Sequence, residues 1–333
     1  MKPTVICLTP IKNEAWILDK FLKSTSLWAD IIIISDQMST DGSREIAKSY
    51  SKVILVDNDQ KTDFSEYNMR KPLIDAARKI PGDKLLIALD ADEIFTPNFS
   101  SKEWEEMKKL PKGAVIKFPW INVYKNFENY WDYNYSIPVG YVDDNVEFVS
   151  GLIHASRLFD PNKNTKVVYE ASEVKILHLQ YTDWERMKMK HRWYQCFERI
   201  SFPEKKPLDI YRQYHHMDSL QKQDFQDVPA YWIDQYNSLG VDVKSTSDLK
   251  NYHWEEKILN YFDEKGTRFF RKMAIWDINW IEKAKNYGRE NPSKYKDPRT
   301  MVDVLVQNIL FHTQNKQNKK FYRRLDRVLK SFY

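Results

Sequence analysis

Glycine is scarce in this chain, with eight in 333 residues. That excludes a collagen-like, Gly-rich or low-complexity protein. Cysteine is scarcer still. Two residues, Cys7 and Cys196, make neither a disulfide framework nor a cysteine-based zinc site. No apolar run is long enough to span a bilayer. Met1-Lys2-Pro3 leads directly into an apolar stretch without a signal-peptide pattern. These absences together predict a reducing, cytoplasmic setting. The net charge of +5 is mild; it permits an anionic ligand or surface without requiring nucleic acid, and no nucleic-acid recognition motif is present. Gly-x-Gly-x-x-Gly and Gly-x4-Gly-Lys-Ser/Thr are both absent. A nucleotide bound here would therefore depend on metal and basic side chains instead of a Gly-rich loop.

What is present is an alternation of apolar strands and helical segments. Thr4–Thr9, Ile31–Ile34, Val53–Val56 and Lys84–Leu89 read as strands that are apolar on both faces. Between them lie helical patterns around Ile17–Leu22, Arg44–Tyr50 and Ser65–Lys79, the last with Pro72 as a kink or restart. Strands apolar on both faces and alternating with helices predict a mostly parallel sheet covered on both sides. Such sheets bind ligands beyond the carboxyl ends of their strands. Those ends carry Thr9, Asp36, Asp57 and Asp90. Asp36 is suited to accept a hydrogen bond from a pyrimidine N–H. Asp90 and Asp92 are two apart, so on an extended chain their carboxylates share one side. An oxygen-rich pair of this kind suits a divalent cation that neutralises a diphosphate.

Three of these segments carry a resemblance. Thr9-Pro10-Ile11-Lys12-Asn13-Glu14, then Ser35-Asp36-Gln37-Met38-Ser39-Thr40-Asp41-Gly42-Ser43, then Leu89-Asp90-Ala91-Asp92-Glu93 resemble the P-x-K/R-N-E, D-x-x-S-x-D-G-S/T and D-x-D motifs of family 2 glycosyltransferases. The resemblance covers about the first 120 residues firmly and runs loosely to about 195. It implies a GT-A-like, Rossmann-type fold, with a catalytic domain over 1–195; residues 196–333 fall outside the resemblance and read from their own pattern as a helical C-terminal region. It implies a nucleotide-diphospho-sugar donor, UDP- or GDP-linked, a glycan or lipid-linked acceptor, inversion at the anomeric centre, a Mn²⁺ or Mg²⁺ cofactor, and a place in polysaccharide biosynthesis. Asp36 then meets the base, with Thr9 and Glu14 lining the nucleoside pocket. Asp90 serves the ribose and Asp92 the metal–diphosphate. Arg70 is a further candidate for the nucleotide, as are Arg186 and Lys190, one turn apart on a later helix; a solvated basic face explains such residues as well. The acceptor hydroxyl needs a carboxylate base. Glu170 is the first candidate and Glu173 the second, with Asp143 and Asp144 as outsiders.

His178 interrupts the apolar run Val174–Tyr181. Such a histidine is often a satisfied core residue, but the resemblance implies a metal ligand, a role that neutral imidazole fills for Mn²⁺. Ala114–Trp120 and Ile153–Phe159 read as further strands. The aromatic-rich segment Tyr124–Tyr135 suits sugar rings or covers core. Beyond 195 the aromatic residues and Pro203, Pro207, Pro229, Pro292 and Pro298 punctuate helices. Residues 316–333 form a basic amphipathic helix whose stripe, Phe321, Leu325, Val328, Leu329 and Phe332, either docks on the protein or meets an anionic membrane surface. Two other function classes stay open: a non-catalytic scaffold on a degenerate transferase fold, and a sugar-nucleotide nucleotidyltransferase. The second usually carries a Gly-rich, basic loop after its first strand, and Thr9–Glu14 has no glycine.

Overall fold

The computed structural model describes residues 2–59, 65–151, 156–159, 167–245 and 252–333. These divide into two compact units. The first is 1–183 together with 226–248; the second is 184–225 together with 249–333. The division thus differs from a single cut at 195, because a segment of the C-terminal third returns to the first unit.

The first unit is built on one mixed sheet. Its elements are β1 (Thr4–Ile11), α1 (Leu18–Thr25), β2 (Ile31–Asp36), α2 (Ser43–Lys48), β3 (Val53–Asp57), α3 (Glu66–Arg78), β4 (Lys84–Ala88), β5 (Glu93–Phe95), α4 (Lys102–Met107), β6 (Val115–Tyr124), α5 (Lys125–Glu128), β7 (Asn129–Val142), β8 (Val168–Glu170) and β9 (Ile176–His178). The strand order is β3-β2-β1-β4-β7-β6-β9-β5, with β8 beside β6. β1 to β4 are mutually parallel, as their two-sided apolar pattern predicts. β7 then enters antiparallel beside β4, so the sheet is mixed beyond its first half. The segment Tyr124–Tyr135 is the turn and first half of the long β6–β7 hairpin. Gly140 permits its register: a Cβ there would meet Ile116 Cβ at 2.8 Å. No strand forms over 156–159; Ile153, His154 and Ala155 lie outside the described residues.

Packing follows from the same pattern. Leu73, Ile74 and Ala77 of α3 meet Ile6, Leu8, Ile33, Leu86 and Ala88 of the sheet. Each fully buried large aliphatic side chain contributes roughly 2 kcal/mol. Pro72 sits inside α3 without ending it. It removes the N–H that would bond the Asn68 carbonyl one turn back, and the Asn58 side-chain amide donates to that carbonyl instead, at 3.1 Å. The returning segment adds β10 (Gln226–Asp227), paired antiparallel with β7, and α8 (Ala230–Ser238). The Tyr236 hydroxyl bonds to the Phe95 carbonyl and to Ser24 Oγ, and Lys20 Nζ donates to the Val243 carbonyl at 2.7 Å. A 23-residue piece distant in sequence is therefore tied to α1 and β5 by buried polar bonds.

The second unit is helical: α6 (Trp184–Ser201), α7 (Pro207–Tyr214), α9 (His253–Lys265), α10 (Trp280–Asn286), α11 (Met301–His312) and α12 (Lys320–Phe332). Arg186 is buried with its guanidinium 4.7 Å from the centre of the Trp254 ring. Leu329 and Tyr333 pack with Leu208, Tyr211, Val306 and Leu310, with Leu325 beside them. Phe321, Val328 and Phe332 are exposed at 70%, 59% and 56%. The amphipathic stripe of α12 is thus split: one flank docks on α7 and α11, the other faces water. Cys7 and Cys196 are both free and buried. Among the described residues, no helix is long and apolar enough to cross a membrane.

Candidate active site

The first two motifs fold into one stitched ledge after β1 and β2. Lys12 Nζ donates to the Gln37 carbonyl at 2.6 Å and to the Met38 carbonyl at 2.5 Å. Ser39 Oγ accepts from the Asn13 N–H, and Asn13 Oδ1 accepts from the Thr40 N–H. Ser43 Oγ accepts from the Glu14 N–H, and the Asp41 carboxylate accepts from the Ala15 N–H. Gly42, at φ 95°, supplies the left-handed step that lets α2 start at Ser43. The lysine, asparagine, serines and aspartate of these motifs therefore hold two loops together.

Asp36 ends β2 with its side chain fully buried. Its carboxylate accepts from Arg44 Nη1 at 2.7 Å and from the Ser39 N–H at 3.1 Å, and Arg44 also bridges to the exposed Asp57 at 2.7 Å. Hydrogen bonds donated to both carboxylates raise the Arg44 pKa. Thr9 lies within β1 instead of at its end; it is fully buried, with its hydroxyl 3.6 Å from Cys7 Sγ. Glu14 is half-buried and accepts from the Trp16 indole N–H at 2.7 Å.

The acidic motif is not extended. β4 stops at Ala88, and residues 91–92 form a turn into β5, closed by the Glu93 N–H on the Asp90 carbonyl at 3.0 Å. The two-residue spacing consequently does not align Asp90 with Asp92, and the two carboxylates have different partners. Asp90 takes Arg70 Nη2 on Oδ1 at 2.5 Å and Arg157 Nη2 on Oδ2 at 2.9 Å. Arg157 also forks onto buried Glu93, at 2.6 and 3.0 Å. Burial pushes the Glu93 carboxyl up, and the Arg157 charge opposes this. Burial lowers the Arg157 pKa, but the charges of Asp90 and Glu93 outweigh it, so the guanidinium is held more firmly charged. Arg70 is buried and braces Asp90.

Asp92 faces His178, with Oδ2 and Nε2 3.9 Å apart. The ladder explains this meeting. β5 and β9 pair Glu93 with His178, and β6 and β9 pair Asn122 with His178. The Leu179 N–H donates to the Asp92 carbonyl at 2.7 Å. Asn122 Oδ1 lies 2.9 Å from His178 Nδ1. With that oxygen as acceptor, the ring proton sits on Nδ1 and the Nε2 lone pair is turned toward Asp92. Trp120 stacks on the imidazole at 4.4 Å. Two donors each about 2.1 Å from one ion lie no more than about 4.2 Å apart, so this carboxylate–imidazole pair fits a divalent metal. Among the described residues no set of three or more His, Cys, Asp or Glu gathers around a metal position. Most of the coordination shell would then come from ligand oxygens and water.

Glu170 and Glu173 are not brought to this point. Glu170 pairs with Lys117 in register, five residues along β6 from Asn122, about 16 Å at strand rise. Its carboxylate bridges to Lys117 Nζ at 2.8 Å and is largely exposed. Glu173 is exposed in the loop before β9, and its N–H donates to the Glu103 carboxylate. Asp143 is buried against Arg78 at 2.9 Å. Sequence reasoning missed Arg44, Glu93 and Asn122 and gave Arg157 no role beyond its place in the expected strand Ile153–Phe159. Glu93 stood within the acidic motif; the others carry no local signal.

The family model described as glycosyl transferase family 2 matches residues 6–168. That segment, just under half of the chain, is recognised as a family 2 glycosyltransferase segment. β2 to β7 and the motif loops lie in the matched segment, whereas most of β8 and all of β9, with His178, lie beyond it; the GT-A-like fold expected from the resemblance is the fold observed. No curated protein matches the chain. Among solved structures, glucosyl-3-phosphoglycerate synthase from Mycobacterium tuberculosis, in complex with Mn²⁺, UDP and glucosyl-3-phosphoglycerate, is 19% identical with a TM-score of 0.28. That match covers 35% of this chain and 44% of the synthase, less than half the length of either. A 4-diphosphocytidyl-2C-methyl-D-erythritol synthase is 9% identical with a TM-score of 0.29, over 52% of this chain and 91% of that one.

Proposed function

We propose that this protein is an inverting glycosyltransferase that takes a sugar from a nucleotide-diphospho-sugar to a glycan or lipid-linked acceptor. The observation that carries the reading is the juxtaposition of Asp92 and His178, with His178 oriented by Asn122. A divalent metal, Mn²⁺ or Mg²⁺, bound by this pair would offset the charge that develops on the departing diphosphate. Asp36, buried in the ledge against Arg44 and the Ser39 N–H, fixes the floor on which a base would sit. Asp90, fixed by two arginines, still has lone pairs for ribose hydroxyls. Trp120, stacked on His178, and Tyr135, whose ring lies 5.6 Å from that of Trp120, offer apolar faces to a sugar. Glu170, paired with Lys117 five residues along β6 from Asn122, and Glu173, exposed in the loop before β9, are not carried forward as the base.

Calorimetric titration with UDP and GDP, with Mn²⁺ and again with chelator, tests this reading. Metal-dependent binding of one nucleotide, lost in Asp92→Ala, is the expected result. Folded protein that binds neither would return the scaffold reading. Cleavage of a nucleoside triphosphate in the presence of a sugar phosphate would favour the nucleotidyltransferase.

The proposal extends to peripheral membrane contact through α12. Exposed Phe321, Val328 and Phe332 sit beside Lys320, Arg323, Arg324 and Arg327, a combination that suits an anionic lipid surface. The full chain should float with vesicles containing phosphatidylglycerol. Replacing the three apolar residues by serine should leave it at the bottom of the gradient, and unchanged flotation would remove α12 from the account.

A further inference from the structure

A second site is visible entirely within the helical unit. A cavity of about 390 Å³ opens between the end of α6, the start of α7 and the 268–272 segment, and six cationic side chains line it: Arg199, Lys205, Lys206, Arg268, Arg271 and Lys272. Glu204 is the one acidic side chain in that lining. Three of the cations are held in place by protein groups. Lys205 pairs with buried Glu198. Arg199 lies 4.8 Å over the Phe269 ring and donates to the Pro203 carbonyl at 3.2 Å. Lys272 donates to the main-chain oxygen of Tyr333 at 2.8 Å and lies over its ring. Lys206, Arg268 and Arg271 make no ion pair among the described residues.

Like charges gathered in a concave site repel one another unless an anion joins them. The crowding is felt at Lys272, whose pKa is lowered by burial and then by Arg271, with Arg199 and Lys206 adding to it and Asp303 opposing. The first turn of α7 begins at this wall, with Pro207 at its start and no side-chain cap, so the positive end of the helix adds to the field. Guanidinium forks match the paired oxygens of a phosphate. The cavity exceeds what a lone phosphate fills, and half-buried Phe269 gives it an apolar wall suited to the C–H face of a sugar ring.

We propose that this cavity binds a phosphorylated saccharide, its phosphate among Arg268, Arg271 and Lys206 and its ring against Phe269. Because the site lies in the second unit and uses none of the residues assigned to the donor, its occupation is measurable apart from transfer.

The test is calorimetry on the full chain with glucose 6-phosphate, glucose and inorganic phosphate as probes, in chelator and without nucleotide. Saturable binding of glucose 6-phosphate, tighter than inorganic phosphate and absent for glucose, is expected. It should weaken about tenfold or more in Arg268→Gln/Arg271→Gln and persist in Asp92→Ala. The same melting temperature in the double variant would show that the fold is intact. Lys206→Gln, an exposed single change, provides a milder second variant and should weaken binding in the same direction. No heat with glucose 6-phosphate, equal affinity in the double variant, or loss in Asp92→Ala would each overturn the proposal. Flotation with phosphatidate vesicles without binding of the soluble sugar phosphate would assign the cavity to a lipid headgroup and overturn the saccharide assignment.

Discussion

Replacing Arg157 by leucine is the sharpest perturbation of the acidic turn. Arg157 makes a fork onto Glu93, whose side chain is 1% exposed, and reaches Asp90 with the same guanidinium. Removing it leaves Glu93 as a buried carboxylate without a cation. Breaking a buried pair from one side costs about 3–5 kcal/mol; because Arg157 keeps 18% of its side chain exposed, about 3 kcal/mol is the expected loss. The double variant Arg157→Leu/Glu93→Leu removes both charges and should recover most of that loss, with a residue of about 1 kcal/mol because Asp90 keeps Arg70 but loses its second partner. The pH dependence has a definite sign. Burial already raises the folded pKa of Glu93 above 4.5, and loss of the Arg157 charge raises it further. The folded state then binds the extra proton, so the variant loses stability as pH rises from about 4.5 through the folded pKa. Urea unfolding followed by circular dichroism at pH 5 and pH 8 measures both effects. A deficit under about 1 kcal/mol at pH 8, or one equal at both pH values, would refute the claim that Arg157 offsets the Glu93 charge.

Other consequences are as direct. Asn122→Ala should weaken Mn²⁺ binding roughly 10–100-fold by freeing the His178 ring, read by metal titration; unchanged affinity would detach Asn122 from the site. Glu170→Gln should leave transfer within about threefold, since its partner is Lys117; a loss of a hundredfold, the scale of a general base, would restore it as the base. Burial holds His191 and His216 below the usual histidine pKa. The unfolded chain therefore takes up protons near pH 6.5 that the folded chain refuses. Stability should fall below that pH by up to about 1.4 kcal/mol per pH unit for each histidine, and a thermal melt that is flat from pH 7 to 5 would contradict this.

The sequence alone determined the parallel half of the sheet and the place of the motif loops. Continuous apolar runs such as Ile31–Ile34 and Leu85–Leu89 can be satisfied only between two covering layers, so local pattern decides them. The family resemblance was equally legible, because the motif residues do local work: Lys12, Asn13, Ser39 and Asp41 stitch neighbouring loops. His178 was marked by its polarity inside a buried strand. Tertiary structure decided what each charge meets. Asp90 and Asp92, two apart in sequence, face different partners because the chain turns at 91–92. Arg157, which holds Asp90, is 67 residues away, and Asn122, which orients His178, is 56 away. The return of 226–248 to the first unit rests on buried bonds from Lys20 and Tyr236 that no period in the sequence announces. Glu170 and the stripe of α12 show the same limit. A carboxylate near a strand end, or a leucine–phenylalanine stripe, is a local feature; the partner that decides its role is chosen by register and packing across the fold.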